Sequence, residues 1–266
     1  MKQLRRNLWS WFWVLLGVLY FVVPLVTTFD FSLRKLRDQI SLEAYVSAFS
    51  DPYFLPAFGL SILLAILTII FGVLLVVPTA YWVHLRVPQV RPIMEFLTLL
   101  PFVIPAIVLV FGMIGTYSRP PLLLTTNFVT TVVLIVAGYI VLALPYLYRS
   151  VDAGLRSMDV RTLTEAAESL GANWVIILFQ IILPNLRTAL LSGALLTLAT
   201  VVGEVTLASF LGLPTFGPYL FLLGQHKAYE PAALSIVSFA MTWAAMGVIS
   251  ILTRGRTDGG AVTAGH

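Results

Sequence analysis

The stretch EAAESLGANWVIILFQIILP, Glu165–Pro184, decides how this chain is read. Its second half is as greasy as a membrane segment, yet its unbroken apolar core covers only Trp174–Phe179, with Ile181–Leu183 after Gln180. A crossing needs about 20 apolar residues, so this run is too short and belongs outside the bilayer core. Thr162 followed three residues later by Glu165 predicts a capping box, with Glu165 and Glu168 in the first turns of a helix. Ala166 and Ala167 extend that helix, and Gly171 can take the left-handed conformation that ends it. Asn173 is placed to cap a second, apolar helix running to Leu183, where Pro184 breaks it before the next segment. Two readings fit such a short helix pair. One is an insert for a groove on a partner protein, the other an amphipathic helix lying on the inner leaflet. A leaflet helix usually carries a basic polar face, whereas this one carries Glu165 and Glu168, which favours the protein partner.

Working outward, the chain is 59% hydrophobic and 11% charged, with a mean hydropathy of +0.95. A soluble domain keeps about a quarter of its residues charged, so the solvent of this chain is a bilayer. Clear spans of bilayer length are predicted at about 8–29, 57–82, 93–116, 128–148 and 232–252, and a sixth, at about 186–211, is interrupted by Glu204. Six crossings leave 1–7 as an N-terminal tail, 8–252 as the membrane domain and 253–266 as a C-terminal tail expected to be disordered. The first span follows Lys2, Arg5 and Arg6, but its apolar run is too long for a signal peptide, so it reads as an uncleaved anchor.

The cations set the orientation. With the N-terminus inside, inner segments hold Lys2, Arg5, Arg6, Arg86, Arg91, Arg149, Arg156, Arg161, Arg187, Arg254 and Arg256. Outer segments hold only Arg34, Lys35, Arg37, Arg119 and Lys227. The positive-inside rule therefore places both termini in the cytoplasm. Residues 30–56 become an outer segment and 149–185 the one long inner connection, which contains the opening stretch.

Here the chain resembles a known family. E-A-A, three residues, G, nine residues, I-x-L-P is the cytoplasmic loop pattern of permease subunits of type I ABC importers. Glu165, Ala166, Ala167, Gly171, Ile181, Leu183 and Pro184 fill every position. The runs LPYLYRSVDAGLRSMD (144–159), SLEAYVSAF (41–49) and LPFVIPAIVL (100–109) are similar to the same family. The nearest subgroup moves polyamines, iron(III), thiamine, sulfate or phosphonates. Tyr139–Ile140 in AGYIVLALPY stand where many relatives have a histidine, which leaves the subgroup open.

The resemblance implies an all-α, MetI-like permease fold and half of a translocation pathway in a bacterial inner membrane. It implies docking on two separate ATPase subunits through Glu165, Ala166, Ala167, Glu168, Gly171, Ile181, Leu183 and Pro184. It further implies a second permease subunit, sister or identical, and an external solute-binding protein. ATP and its magnesium would sit on the ATPase partners. A polyamine-type or other small solute is expected.

The rest of the chain excludes alternatives. A phosphate loop ends in Gly-Lys-Ser/Thr, and none of Lys2, Lys35 and Lys227 follows a glycine. LSGAL (191–195) resembles an ATPase signature only in part and lies in a span, where small residues serve helix packing. An intramembrane hydrolase would need a base among the spans, but His84, His226 and His266 lie in loops or the tail. A secondary transporter or channel subunit is the other class, and it leaves the loop pattern unexplained.

Glu204 is the sole ionisable group well inside a predicted span. At 100° per residue Gly193, Thr197, Thr200 and Glu204 share one stripe. That stripe either lines a substrate path or locks this helix to a neighbour. Ser61, Ala65, Thr68, Gly72 and Thr79 form a similar stripe on the second span, which close packing explains.

Overall fold

The computed structural model describes residues 2–36 and 39–254, and among them it contains only helices, turns and loops. The elements are α1 (Lys2–Ser32), α2 (Glu43–Phe49), α3 (Phe54–Leu85), α4 (Arg91–Val103), α5 (Ala106–Tyr117), α6 (Phe128–Arg156) and α7 (Val160–Ser169). They continue with α8 (Trp174–Asn185), α9 (Arg187–Val202), α10 (Thr206–Phe210), α11 (Phe216–His226) and α12 (Tyr229–Arg254). Three of them, over Trp11–Ser32, Phe54–Leu85 and Phe128–Arg156, are long and apolar enough to cross a membrane. Two bent pairs raise that to five if each pair is one span. The expected C-terminal tail lies, from residue 255 on, outside the described residues.

The structure breaks one expected continuous span and places a turn at the interruption expected in another. Residues 93–116 are broken into α4 and α5, which meet at 98°. The cause is Pro105, which forces Ile104 into extended backbone (φ −89°, ψ 117°) and cannot donate to a helix ladder. Residues 186–211 stop at Val202, turn through Gly203 and Glu204, and resume as the five-residue α10. Helix α6 runs on to Arg156 because Val151 and Leu155 are still in the core and Asp152 is ion-paired. The connection between α6 and α7 is therefore short, from Ser157 to Asp159. Helix α11 has no counterpart among the expected elements.

Contacts group the chain into two units. One comprises Met1–Leu55 with Tyr219–Trp243. Within it the Ser32 and Tyr45 hydroxyls pair at 2.8 Å, and the buried Glu230 accepts from Ser47 (3.0 Å) and pairs with Lys35 (3.1 Å). Apolar side chains of α1 such as Trp11, Leu15, Leu19 and Phe21 stand exposed, as expected of a surface whose solvent is lipid or another chain.

The other unit, Pro56–Pro218 with Ala244–His266, holds the core. One half of that core packs Leu64 and Ala65 of α3, Val110 of α5, Leu134, Ile135 and Tyr139 of α6, and Leu207 of α10. The other half packs Val77 and Tyr81 of α3 and Leu147, Val151 and Leu155 of α6 around α7 and α8. Small residues let the helices approach. A Cβ on Gly154 of α6 would lie 2.6 Å from Leu186 and 2.8 Å from Ala189, so only glycine admits the start of α9 there. The small stripe of the second span is likewise a seam, since Ser61, Ala65 and Thr68 are all buried.

Candidate functional site: the inner loop and its supports

Helix α7 starts one residue group earlier than a capping box at Thr162 requires. Asp159 is the N-cap, accepting from the Thr162 N–H at 3.1 Å and the Thr162 hydroxyl at 2.7 Å. Those two bonds hold the Asp159 carboxyl below the usual carboxylate range. Glu165 therefore sits mid-helix rather than in the first turn, paired with Arg161 at 2.8 Å. Both side chains are well exposed, so that pair adds little stability.

The helix ends in a complete Schellman motif. The Ala172 N–H reaches the Ala167 carbonyl at 3.0 Å, and the Gly171 N–H reaches the Glu168 carbonyl at 2.9 Å. Gly171 carries φ +83°, the conformation that its position demands. Asn173 then caps α8 by accepting from the Ile176 N–H at 3.0 Å. Helix α8 passes through a π-helical segment, Ile177–Ile182, and Pro184 lies inside it rather than ending it. It bends by 76° from α9 at Leu186.

These helices have two faces. Val160, Thr164 and Ala167 of α7, and Ile177, Leu178 and Ile182 of α8, are buried in the core. Ile181 and Leu183 pack partly against it, while Pro184 is exposed. The outward face presents Glu165, Ala166, Glu168, Ser169, Leu170 and Gly171. Leu170 is 89% exposed at the tip, and Trp174, Val175 and Phe179 follow it, also exposed. The loop thus ends in a projecting tip of small, acidic and bare apolar residues.

The buried face is wired to the long helices. Thr164 donates to the Val160 carbonyl and its hydroxyl pairs with Tyr81 of α3 at 3.1 Å. One turn further along α3, His84 meets Asp152 of α6 at 2.8 Å. Asp152 also pairs with Arg91 of α4 (3.0 Å) and Arg156 of α6 (2.7 Å), and Glu95 of α4 pairs with Arg156 (3.0 Å) and Arg91 (3.2 Å). This five-residue network joins the ends of α3, α4 and α6 beside the inner loop.

The second candidate region lies elsewhere in the same unit. Glu204 occupies the break between α9 and α10, and its carboxylate accepts from the Leu207 N–H at 2.9 Å and the Ala208 N–H at 3.2 Å. It caps α10. The buried Tyr139 hydroxyl faces it, and the buried Thr215 hydroxyl faces Tyr139 in turn, neither closing a hydrogen bond. Thr197 is fully buried, with its hydroxyl on the Gly193 carbonyl, and Thr200 is half-buried, with its hydroxyl on the Leu196 carbonyl. The structure thus brings Glu165, Ala166, Glu168 and Gly171 onto one outward face and turns Ala167 into the core, whereas Thr197 and Glu204 are spent on internal contacts. Sequence reading missed the His84–Asp152 network, whose members are scattered over three elements. Among the described residues no cluster of three or more histidine or acidic side chains could hold a metal ion.

Comparison with known proteins bears on these features together. The family model for the binding-protein-dependent transport system inner membrane component matches residues 77–255. The spermidine/putrescine transport system permease protein PotB of Haemophilus influenzae is 28% identical over 202 residues, 70% of this chain and 67% of that one. The molybdate/tungstate transport system permease protein WtpB of Thermococcus kodakarensis is 23% identical over 94% of this chain and 96% of its own. Among solved structures, a bacterial ABC transporter involved in the import of the acidic polysaccharide alginate aligns with a TM-score of 0.68 at 18% identity, covering 95% of this chain and 98% of that one.

Proposed function

This chain belongs to the family of binding-protein-dependent transport system inner membrane components, and on that premise we propose that α7, the Gly171 turn and α8 are the part of it that an ATPase subunit grips. As a member of that family it is a multi-pass membrane permease subunit of an ABC-type importer, and it hydrolyses nothing itself. The observation that carries the proposal is the two-faced loop. Val160, Thr164 and Ala167 anchor it, while Glu165, Ala166, Glu168 and the Leu170 tip project away from the core.

In this reading Glu165, Ala166, Glu168 and Gly171 set the docking surface, and Ala167 holds it to the core. Ile181, Leu183 and Pro184 fix α8 behind it. ATP-driven movement of the ATPase pair shifts α7, and the Tyr81–His84–Asp152 connection carries that shift to α4 and α6. The proposed chain crosses the membrane six times, with the bent pair α4–α5 as the third crossing, α9 and α10 as the fifth, α12 as the sixth, and both termini in the cytoplasm. The proposed assembly has a second permease chain, two ATPase chains that carry ATP and magnesium, and an external solute-binding protein.

Glu204 and Thr197 shape the pathway indirectly, Glu204 by holding the break in the fifth crossing open and Thr197 by packing. The proposed solute is a small polyamine, a choice supported by the likeness to the spermidine/putrescine permease. Uptake of labelled spermidine by the reconstituted complex tests it, and transport of molybdate instead would replace it.

Topology provides the direct test of the docking proposal. The chain has no cysteine, so single cysteines placed at Arg156 and Asn173 report without background. Both should react with impermeant thiol reagents from the cytoplasmic side alone. Labelling at Asn173 from outside in intact cells would refute the reading.

A further inference from the structure

A cavity of about 200 Å³ opens between the start of α4 and the end of α6, lined by Glu95, Thr98, Tyr148, Arg149, Asp152 and Arg156 among others. Its carboxylates are already engaged. Asp152 is held by His84, Arg91 and Arg156, and Glu95 by Arg91 and Arg156. The Thr98 hydroxyl donates to the Glu95 carbonyl of its own helix.

Two donors are not engaged. Tyr148 is 2% exposed, and its hydroxyl has no hydrogen-bond partner among the described residues. A buried hydroxyl left without an acceptor is costly, and structures rarely keep one. Arg149, beside it in sequence, forms no ion pair or hydrogen bond among the described residues and stands exposed. Glu95 and Asp152 are already matched by Arg91 and Arg156, which leaves Arg149 as the cation of the lining without a carboxylate among the described residues. The missing partner is therefore an acceptor-rich anion. The cavity is small beside the roughly 300–1,000 Å³ of pockets for drug-sized ligands, which suits a headgroup. Basic pockets between membrane helices on the cytoplasmic side are where acidic lipid headgroups bind.

We propose that this cavity binds a phosphate group, carried by an anionic phospholipid or free in the cytoplasm, with the Tyr148 hydroxyl and the Arg149 guanidinium as its donors. A lipid held there would sit against the Asp152 network and steady the ends of α4 and α6 that the inner loop moves. The site lies outside the docking face of α7, and its occupancy does not depend on which solute is carried.

The test uses the purified permease–ATPase complex, with phosphatidylglycerol, phosphatidylcholine and inorganic phosphate as probes, and lipid retention read by native mass spectrometry. The variants are Tyr148→Phe, which breaks no bond within the chain, and Arg149→Gln, which separates no ion pair. Wild type should retain phosphatidylglycerol over phosphatidylcholine. Arg149→Gln should bind it roughly tenfold more weakly, as loss of one charge-assisted hydrogen bond requires, and Tyr148→Phe severalfold more weakly. If inorganic phosphate binds with the same dependence on both residues while phosphatidylglycerol does not, the free anion is the ligand. Equal retention of every probe by wild type and both variants overturns the proposal. So does a wild type that binds none of them because a neighbouring chain covers the cavity. Binding is measured without transport, so either failure leaves the permease reading intact.

Discussion

Replacing Gly171 by alanine separates the conformation of the loop from its surface. Gly171 has φ +83°, and no atom lies within 4 Å of where a Cβ would sit. The substitution therefore meets no clash, and its whole cost is that of holding an L-residue in left-handed backbone, about 1–2 kcal/mol. For a chain of this size each kcal/mol lowers the melting temperature by roughly 2–4 °C, so Gly171→Ala should melt about 2–8 °C below wild type. The alternative is for the turn to relax, breaking the Ala172–Ala167 and Gly171–Glu168 hydrogen bonds and moving the Leu170 tip away from its partner. Asparagine tolerates left-handed backbone, so Gly171→Asn should recover most of the loss. Aspartate tolerates it similarly but adds charge beside Glu168, so any deficit of Gly171→Asp relative to Gly171→Asn measures the docking surface and not strain. Thermal unfolding of the purified complex, paired with solute-stimulated ATP turnover, reads both quantities. An alanine variant with wild-type melting and wild-type turnover would refute the reasoning.

Other outcomes follow from the same contacts. Glu204→Ala leaves the buried Leu207 and Ala208 N–H groups without acceptors, a loss of about 1–3 kcal/mol. Glu204→Gln keeps one acceptor oxygen and should lose less. Complex yield and melting should rank wild type, Gln, Ala, whereas equal melting with altered uptake would return Glu204 to the substrate path. Asp152→Asn removes the charge that holds His84, Arg91 and Arg156 together. Breaking a fully buried pair costs about 3–5 kcal/mol, and because Arg156 is half exposed we expect nearer 2 kcal/mol. The variant should also weaken coupling of ATP turnover to uptake; wild-type melting and coupling would remove the network from the transmission route.

The inner loop was legible because its signals are local. Gly171 and Asn173 each act on neighbours within a few residues, and both do what their types predict. The misplaced start of α7 shows the limit of local grammar. Asp159 and Thr162 both suit an N-cap, and Asp159 takes the position by bonding the Thr162 backbone and side chain at once. The break at Pro105 was hidden by hydropathy, which averages over windows longer than a break, whereas the one after Val202 was signalled by the charge of Glu204. Glu204 was conspicuous as a charge, yet its role depends on N–H groups of residues that carry no polar side chain. The Asp152 network was invisible for a different reason. His84, Arg91 and Asp152 are brought together by packing of three helices, and no spacing in the sequence encodes that.

The central claim is that the tip of the α7–α8 loop lies against an ATPase subunit in the cytoplasm. A photo-crosslinking amino acid at Leu170, the most projecting side chain of the loop at 89% exposure, tests it in membranes that contain the whole complex. The account predicts one adduct joining this chain to the ATPase subunit, lost when the loop is displaced by Gly171→Ala and kept in Gly171→Asn. A crosslink from Leu170 to lipid alone, or to a protein outside the cytoplasm, with the ATPase present and assembled, would contradict it.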